Sequence, residues 1–208
     1  MNTKLHRRHF IKISSAAGGS LILGMMLPLA CKPRPKEAVA TCDPLQPTPY
    51  LKIESTGDIT IYYTRAEMGQ GVNTALPMIL AEELDADWTQ VKTELLPFGT
   101  SIERPDKPAF GGYYTTGGSQ SVLTDWNEMR RVGATAKAML VSAAAKKWNI
   151  SEAECTTVGS MVTNTKTKES FSYGELVCDA IKLPAPKEAK LKEAKDFSLI
   201  GKTVPRKN

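Results

Sequence analysis

From residue 50 the chain alternates apolar and polar positions in two short runs, 50–55 and 59–64, on either side of Thr56-Gly57-Asp58. Successive side chains on a strand point to opposite faces, so this pattern predicts a β-hairpin with one buried face. Next, Leu76, Ile79, Leu80 and Leu84 recur at three and four residues. They predict a helix capped by Asn73 or Thr74, with Pro77 tolerated in its first turn. Val91, Thr93 and Leu95 alternate as a short strand, and residues 97–119 form a long loop rich in glycine and proline. A loop of that length inside a domain is unusual unless it has a function.

Over 119–149 the apolar series Val122, Trp126, Met129, Val132, Ala136, Met139, Leu140, Ala143 and Trp148 keeps helical spacing. One long helix, or two meeting near Gly133, is expected. Its alanine-rich second half offers a smooth face for close packing. Strand-like fragments follow over 155–171, around Gly159-Ser160 and 164–168. Ser172-Tyr173-Gly174-Glu175 then reads as a capping box opening a helix through Ile181. The elements sum to an α+β domain of short strands and hairpins packed with a long Ala-rich helix. Trp126, Trp148 and Tyr173 are expected in its core.

Both ends differ from this middle. His6-Arg7-Arg8-His9-Phe10-Ile11-Lys12 precedes an apolar, glycine-containing run to Ala30. That combination has the form of a twin-arginine export signal. An uncleaved anchor is the alternative, although the run is marginal for the ~20 apolar residues a span needs. Cleavage fits either before Cys31, which would then carry lipid, or before Thr41; 1–40 is thus signal and tether. Residues 41–49 continue the proline-rich linker, with Pro44, Pro47 and Pro49 favouring extended backbone. The domain proper is expected over 50–181, and the Lys/Pro-rich 182–208 reads as a connector without a core of its own.

Charge separates along the same lines. The formal net charge is +5, yet 1–31 hold four cations and no acids, and 182–208 hold eight cations and three acids, leaving −4 on 32–181. No basic face for nucleic acid is visible. The two histidines, His6 and His9, both lie in the leader. A mature chain without imidazole cannot build Ser-His-Asp or Cys-His nucleophile systems or a His-ligated zinc. Chemistry must come from a cofactor, from carboxylates or from another polypeptide.

Two glycine turns, Gly69-Gln70-Gly71 and Gly117-Gly118-Ser119, each stand before a predicted helix. Glycine lets main-chain N–H groups approach a ligand and a helix N-terminus favours anions, so two such ends could hold a cofactor's phosphates. Neither matches a Walker or G-x-G-x-x-G pattern, which argues against a nucleoside triphosphatase or an NAD enzyme. Glu82, Glu83, Asp85 and Asp87 follow helical spacing and are expected on a solvated face, while Glu67 is expected to make a structural contact. Of Cys31, Cys42, Cys155 and Cys178, none is spaced C-x-x-C. A Cys155–Cys178 disulfide and two buried free thiols are the open alternatives.

The pieces E-M-G-Q-G-V-N-T-A-L-P-M-I-L-A-E-E-L at 67–84, T-T-G-G-S-Q-S-V at 115–122 and M-R-R-V-G-A-T-A-K-A-M-L-V-S-A-A-A-K-K-W at 129–148 occur in a telling order. S-Y-G-E-L at 172–176 and F-S-L-I-G-K at 197–202 follow. Together they resemble the molybdopterin-binding (beta) subunit of isoquinoline 1-oxidoreductase, in the xanthine dehydrogenase and aldehyde oxidase group of molybdenum hydroxylases. The resemblance implies part of a molybdopterin-binding domain, with molybdenum carried by molybdopterin cytosine dinucleotide. It implies [2Fe–2S] clusters in a small iron-sulphur partner subunit and water-derived hydroxylation of an N-heteroaromatic or aldehyde carbon in a small-molecule substrate. It places Gln70 near the metal's oxygen ligand, supported by Gly69 and Gly71, and Gly117, Gly118 and Ser119 near the pterin or phosphates. Lys137 stands where the family usually has arginine. Family members continue well past the position of Asn208, and their catalytic glutamate has no counterpart here. The chain alone is therefore expected to be inactive, an N-terminal part awaiting a C-terminal region. The other readings are a periplasmic binding or adaptor module, or a half-enzyme completed by a second polypeptide docking on an exposed apolar surface of 50–181.

Overall fold

The computed structural model describes residues 41–102 and 114–207, so the export signal, Cys31 and both cleavage sites lie outside the described residues. The predicted hairpin forms from β2 (Leu51–Ile53) and β3 (Ile59–Tyr63), antiparallel with Leu51 opposite Ile61 and Ile53 opposite Ile59. All four of these side chains are fully buried, as the alternation requires. The segment expected to be a linker also joins the sheet. β1 (Leu45–Thr48) is extended, as its prolines dictate, but it pairs with β2 and buries Leu45. Pro47 is accommodated because β1 is an edge strand.

Helix α1 (Val72–Leu84) crosses over to β4 (Val91–Leu95), which runs parallel to β3, completing a four-stranded sheet in the order β1-β2-β3-β4. A parallel neighbour needs such a crossover, and α1 supplies it. The second long helix, α2 (Ser121–Trp148), is unbroken for 28 residues and packs on the other side of α1. Enclosed between sheet and α2, α1 buries side chains around its whole circumference, Glu82 and Glu83 included. Pro77 is the sixth helical residue, beyond the first turn where it was expected.

Gly133 explains why α2 stays whole. A Cβ there would lie 2.4 Å from the Leu80 carbonyl oxygen and 3.0 Å from Glu83 Cβ, so glycine is the residue that lets α1 and α2 touch backbone to backbone. Gly133→Ala is expected to lower stability by about 2 kcal/mol, overpacking outweighing the ~1 kcal/mol that alanine gains in helix propensity. Urea midpoints measure this; an unchanged or raised midpoint would refute the contact.

Beyond α2, β5 (Cys155–Val158), β6 (Met161–Asn164) and β7 (Ser170–Ser172) form a three-stranded antiparallel sheet. It leads into α3 (Tyr173–Ala180), whose start is the predicted capping box: Glu175 N–H donates to Ser172 Oγ, and Ser172 N–H to Glu175 Oε2. Tyr173 is in the core and its hydroxyl donates to the Leu84 carbonyl at 2.6 Å; burial pushes that phenol far up. Trp126 and Trp148 are half-buried against the core.

Two expectations are corrected by packing. The disulfide joins Cys42 to Cys178, 5.6 Å apart at Cα, and Cys155 is a half-buried free thiol that burial, with Glu152 and Glu154 nearby, pushes up. β1 runs back alongside α3, which brings Cys42 to Cys178, whereas Cys155 begins the other sheet. The second correction concerns the carboxylates. Glu82 and Glu83 are 0% exposed rather than solvated, and Asp85 accepts from Lys137 Nζ at 3.2 Å and Thr157 Oγ1 at 2.6 Å. The groups that hold them come from α2, where Arg130 Nε donates to Glu83 Oε1 at 2.7 Å, and from 190–207. There Lys192, Ser198, Leu199 and Ile200 bond Glu82 and Glu83, Trp88 Nε1 donates to the Pro205 carbonyl, and Lys207 N–H donates to Thr74 Oγ1. The expected connector is a strap across α1.

Candidate functional site

The loop between β3 and α1 is built around one carboxylate. Glu67 Oε1 accepts the N–H groups of Gly69 and Gly71 at 2.7 and 3.0 Å, and Oε2 accepts that of Asn73 at 3.0 Å. Those amides, Asn73 and Gly71 foremost, hold the carboxyl below its usual range. The structural contact expected of Glu67 is thus the organising contact of the loop. It also displaces the expected cap. Gly71 is the N-cap of α1, in the left-handed region at φ +83°, and no side chain of Asn73 or Thr74 caps the helix. Gly69, at φ +98°, needs the same freedom.

Gln70 folds back on the loop that carries it. Its Oε1 accepts from Met68 N–H at 2.6 Å and its Nε2 donates to the Ala66 carbonyl at 2.7 Å. These two bonds fix which way the amide faces and leave one Nε2 hydrogen to donate outward. The side chain is exposed at the surface of the loop.

The second glycine turn lies beside the first. Ala66 N–H donates to Thr116 Oγ1 at 2.8 Å, and Arg65 binds the Thr115 carbonyl and Thr124 Oγ1 while pairing with Asp125. Arg65 and Asp125 are 2% and 1% exposed, a buried ion pair joining the end of β3 to the first turns of α2. Gly118 and Ser119 both adopt left-handed conformations, at φ +59° and +56°, and lead to Gln120, the N-cap of α2. Gly117, Gly118 and Ser119 are exposed. All six predicted site residues therefore belong to two adjoining turns.

The two helix ends are not equivalent. Glu67 already takes the amides at the start of α1, so a phosphate would meet a carboxylate there. At α2, among the described residues, no side chain caps the helix, so the first-turn N–H groups have no side-chain acceptor there. Of the two ends expected to take phosphates, the one at Gly69-Gln70-Gly71 is occupied by Glu67.

Sequence reasoning missed Arg65, Thr116 and Asp125, which set the two turns side by side. Asp125 carried a signal: it lies three residues after Val122 and four before Met129, on the apolar face of α2, where a charge is rarely left unpaired. Lys137 pairs with Asp85, away from these turns.

Between α1, α2 and the strap lies a cleft of about 410 Å³, opening against Gly69, Gln70 and Gly71 and walled by Met78, Ile79 and Trp126. Among the described residues, no group of three or more His, Cys, Asp or Glu side chains could hold a metal ion, and no helix is long and apolar enough to cross a membrane. A metal borne by its own organic ligand fits this donor set better than one bound directly. Gln70 keeps an outward N–H, and Gln120 Oε1 beside Gly118 is a buried acceptor without a hydrogen-bond partner among the described residues.

Comparison with known proteins agrees with this composition of parts. The chain is 31% identical over 141 residues to isoquinoline 1-oxidoreductase subunit beta of Brevundimonas diminuta, covering 68% of this chain and 18% of that protein. It is 34% identical over 161 residues to a membrane-bound aldehyde dehydrogenase [pyrroloquinoline-quinone] of Gluconacetobacter polyoxogenes, covering 75% of this chain and 19% of that one. The chain thus spans about a fifth of the length of these curated relatives. Among solved structures, quinoline 2-oxidoreductase from Pseudomonas putida 86 aligns with 61% of this chain and 15% of its own, at a TM-score of 0.47 and 16% identity. The Cu,Mo-CO dehydrogenase gives the same TM-score at 20% identity. The model of the molybdopterin cofactor-binding domain matches residues 36–207, a span that includes every described residue of the α+β domain, and the chain belongs to that family.

Proposed function

We propose that this chain is the N-terminal part of the large subunit of a molybdenum hydroxylase. Its two adjoining glycine turns form one wall of the cofactor site. The observation that carries the reading is the junction of Gly69-Gln70-Gly71 with Gly117-Gly118-Ser119 through Arg65, Thr116 and Asp125. In it Gln70 would donate its remaining N–H toward the metal's oxygen ligand, and the open end of α2 with Gln120 would take polar groups of a molybdopterin cytosine dinucleotide. That cofactor would supply two-electron oxidation with oxygen drawn from water, acting on an N-heteroaromatic or aldehyde carbon, and the electrons would pass to [2Fe–2S] clusters in a small iron-sulphur subunit. The chain's own residues bind and orient; the two carboxylates of this junction are engaged, Glu67 by the amides of Gly69, Gly71 and Asn73 and Asp125 by Arg65 and Thr64.

Exposed apolar side chains support a further polypeptide covering this face. Met68 and Leu123, next to the two turns, are 72% and 74% exposed. Such side chains fit a large subunit that continues, or a half-enzyme completed in trans, better than a free-standing adaptor. The Cys42–Cys178 bond supports export to an oxidising compartment, which the twin-arginine leader would direct, with Cys31 as an optional lipid anchor.

The test is the polypeptide itself. Mass spectrometry of the periplasmic fraction of the source cells, with molybdenum analysis of the same purified material, is expected to find these peptides in molybdenum-containing material with more large-subunit sequence than 208 residues. A stable short chain without metal would replace the hydroxylase reading with the adaptor one.

A further inference from the structure

We propose that Arg206 turns the cleft beside Gly71 into a binding site for a flat aromatic group with an anionic end, a phosphate or a carboxylate. The cleft's volume, about 410 Å³, suits a small organic ligand. Its walls are apolar: Met78 and Ile79 come from α1, and Val122 and Trp126 from α2. Arg206 is the only charged side chain among the described residues lining it. Apolar walls exclude a bare ion, and a single cation at the rim disfavours a wholly apolar guest. The combination selects a ligand with both parts.

Arg206 is placed by its neighbours. The Pro205 carbonyl accepts from Trp88 Nε1 at 2.8 Å, and Lys207 donates its N–H to Thr74 Oγ1 at 2.9 Å, so the backbone is pinned on both sides of Arg206. Lys207 is further held by its ammonium, which donates to the carbonyls of Trp88 and Val91 at 2.6 Å. Among the described residues no hydrogen bond or ion pair occupies the Arg206 guanidinium. Glu67 attracts it but spends its oxygens on Gly69, Gly71 and Asn73. Nor is there room for a side chain between loop and guanidinium, because a Cβ on Gly71 would come within 3.3 Å of Arg206 Nη2. A planar guanidinium with a free edge is suited to two-point contact with a carboxylate or phosphate.

Two sources share this chemistry, the nucleotide end of a cofactor and an aromatic carboxylate substrate, and the inference holds for the chain whether or not it belongs to a hydroxylase. The test titrates the isotope-labelled 208-residue chain with cytidine 5′-monophosphate, quinoline-2-carboxylate and uncharged quinoline, following the amides of Gly69 and Gly71 and the Trp126 indole N–H. At least one of the two anions is expected to shift these signals at concentrations tenfold or more below quinoline. Arg206→Gln should raise the apparent Kd at least tenfold, Arg206→Lys should recover part of it, and Lys202→Gln, on the same strap but outside the cleft, should leave it unchanged. Because Arg206 is exposed, the variants should unfold at the wild-type midpoint. A response to the phosphate alone would assign the nucleotide end, and to the carboxylate alone the substrate class. No response to either anion at several millimolar, or wild-type binding by Arg206→Gln, would overturn the proposal.

Discussion

Replacing Glu82 by alanine is expected to lower the stability of the domain by about 4 kcal/mol and to free the strap from α1. The carboxylate is fully buried, and its oxygens accept from the N–H groups of Ser198, Leu199 and Ile200 at 2.6 to 3.0 Å and from Lys192 Nζ at 2.5 Å. Removing it strands three amides and half of an ion pair away from water, although Lys192 keeps Asp85 at 2.6 Å. Burial alone would raise the pKa of Glu82. Lys192 and the amides of Ser198, Ile200 and Leu199 more than offset that and bring it to about 2.

The sign of the pH dependence follows. A carboxyl with a depressed folded-state pKa contributes its stability above its unfolded value near 4.5, and that contribution fades as pH falls toward 2. Urea midpoints between pH 7 and pH 2.5 should therefore drop more steeply for the wild type than for Glu82→Gln. Hydrogen exchange over 192–207 should accelerate in Glu82→Ala. Parallel pH profiles, or a strap still protected in the alanine variant, would show that the strap is held by something other than this carboxylate.

The second large effect is expected from reducing Cys42–Cys178. The bond closes a loop of 136 residues, nearly the whole domain, and on the chain-entropy account such a closure is worth about 5 kcal/mol. Without it β1, a short edge strand, keeps its pairing with β2, the burial of Leu45 at its start and its packing against α2 and α3. Unfolding in the presence of a thiol reductant should shift by that amount. Peptide mapping without reduction should recover Cys42 linked to Cys178 and Cys155 carrying the alkylating label. A Cys155–Cys178 peptide would refute the pairing, and an unchanged midpoint after complete reduction would show that β1 is secured by packing alone.

Both predictions concern contacts between residues more than a hundred positions apart, and this is where the sequence was least informative. Strands β2, β3 and β4 and helices α1 and α2 were legible because a strand repeats every two residues and a helix at three and four, and local spacing expresses both. The capping box at Ser172 was legible for the same reason: its two partners are three residues apart. The loop 67–71 was recognisable from its glycines and from the motif around it. Its inner arrangement, with Glu67 taking the helix amides and Gln70 closing on Ala66, required coordinates.

The sequence by itself determined the α+β class, most element boundaries, the two glycine turns and the resemblance that the family match supports. Only the tertiary structure decided that Glu82 and Glu83 are buried, that Cys178 bonds Cys42, that the Lys/Pro-rich end straps α1 and that one of the two helix ends is already filled. Helical spacing placed Glu82 and Glu83 on one stretch of surface but could not say what would cover it; residues 192–200 do. Backbone propensity acts over a few residues, whereas partner choice depends on which segments the packed core brings together. The cost of closing a chain loop grows only slowly with its length, so separation along the sequence scarcely discriminates one distant partner from another.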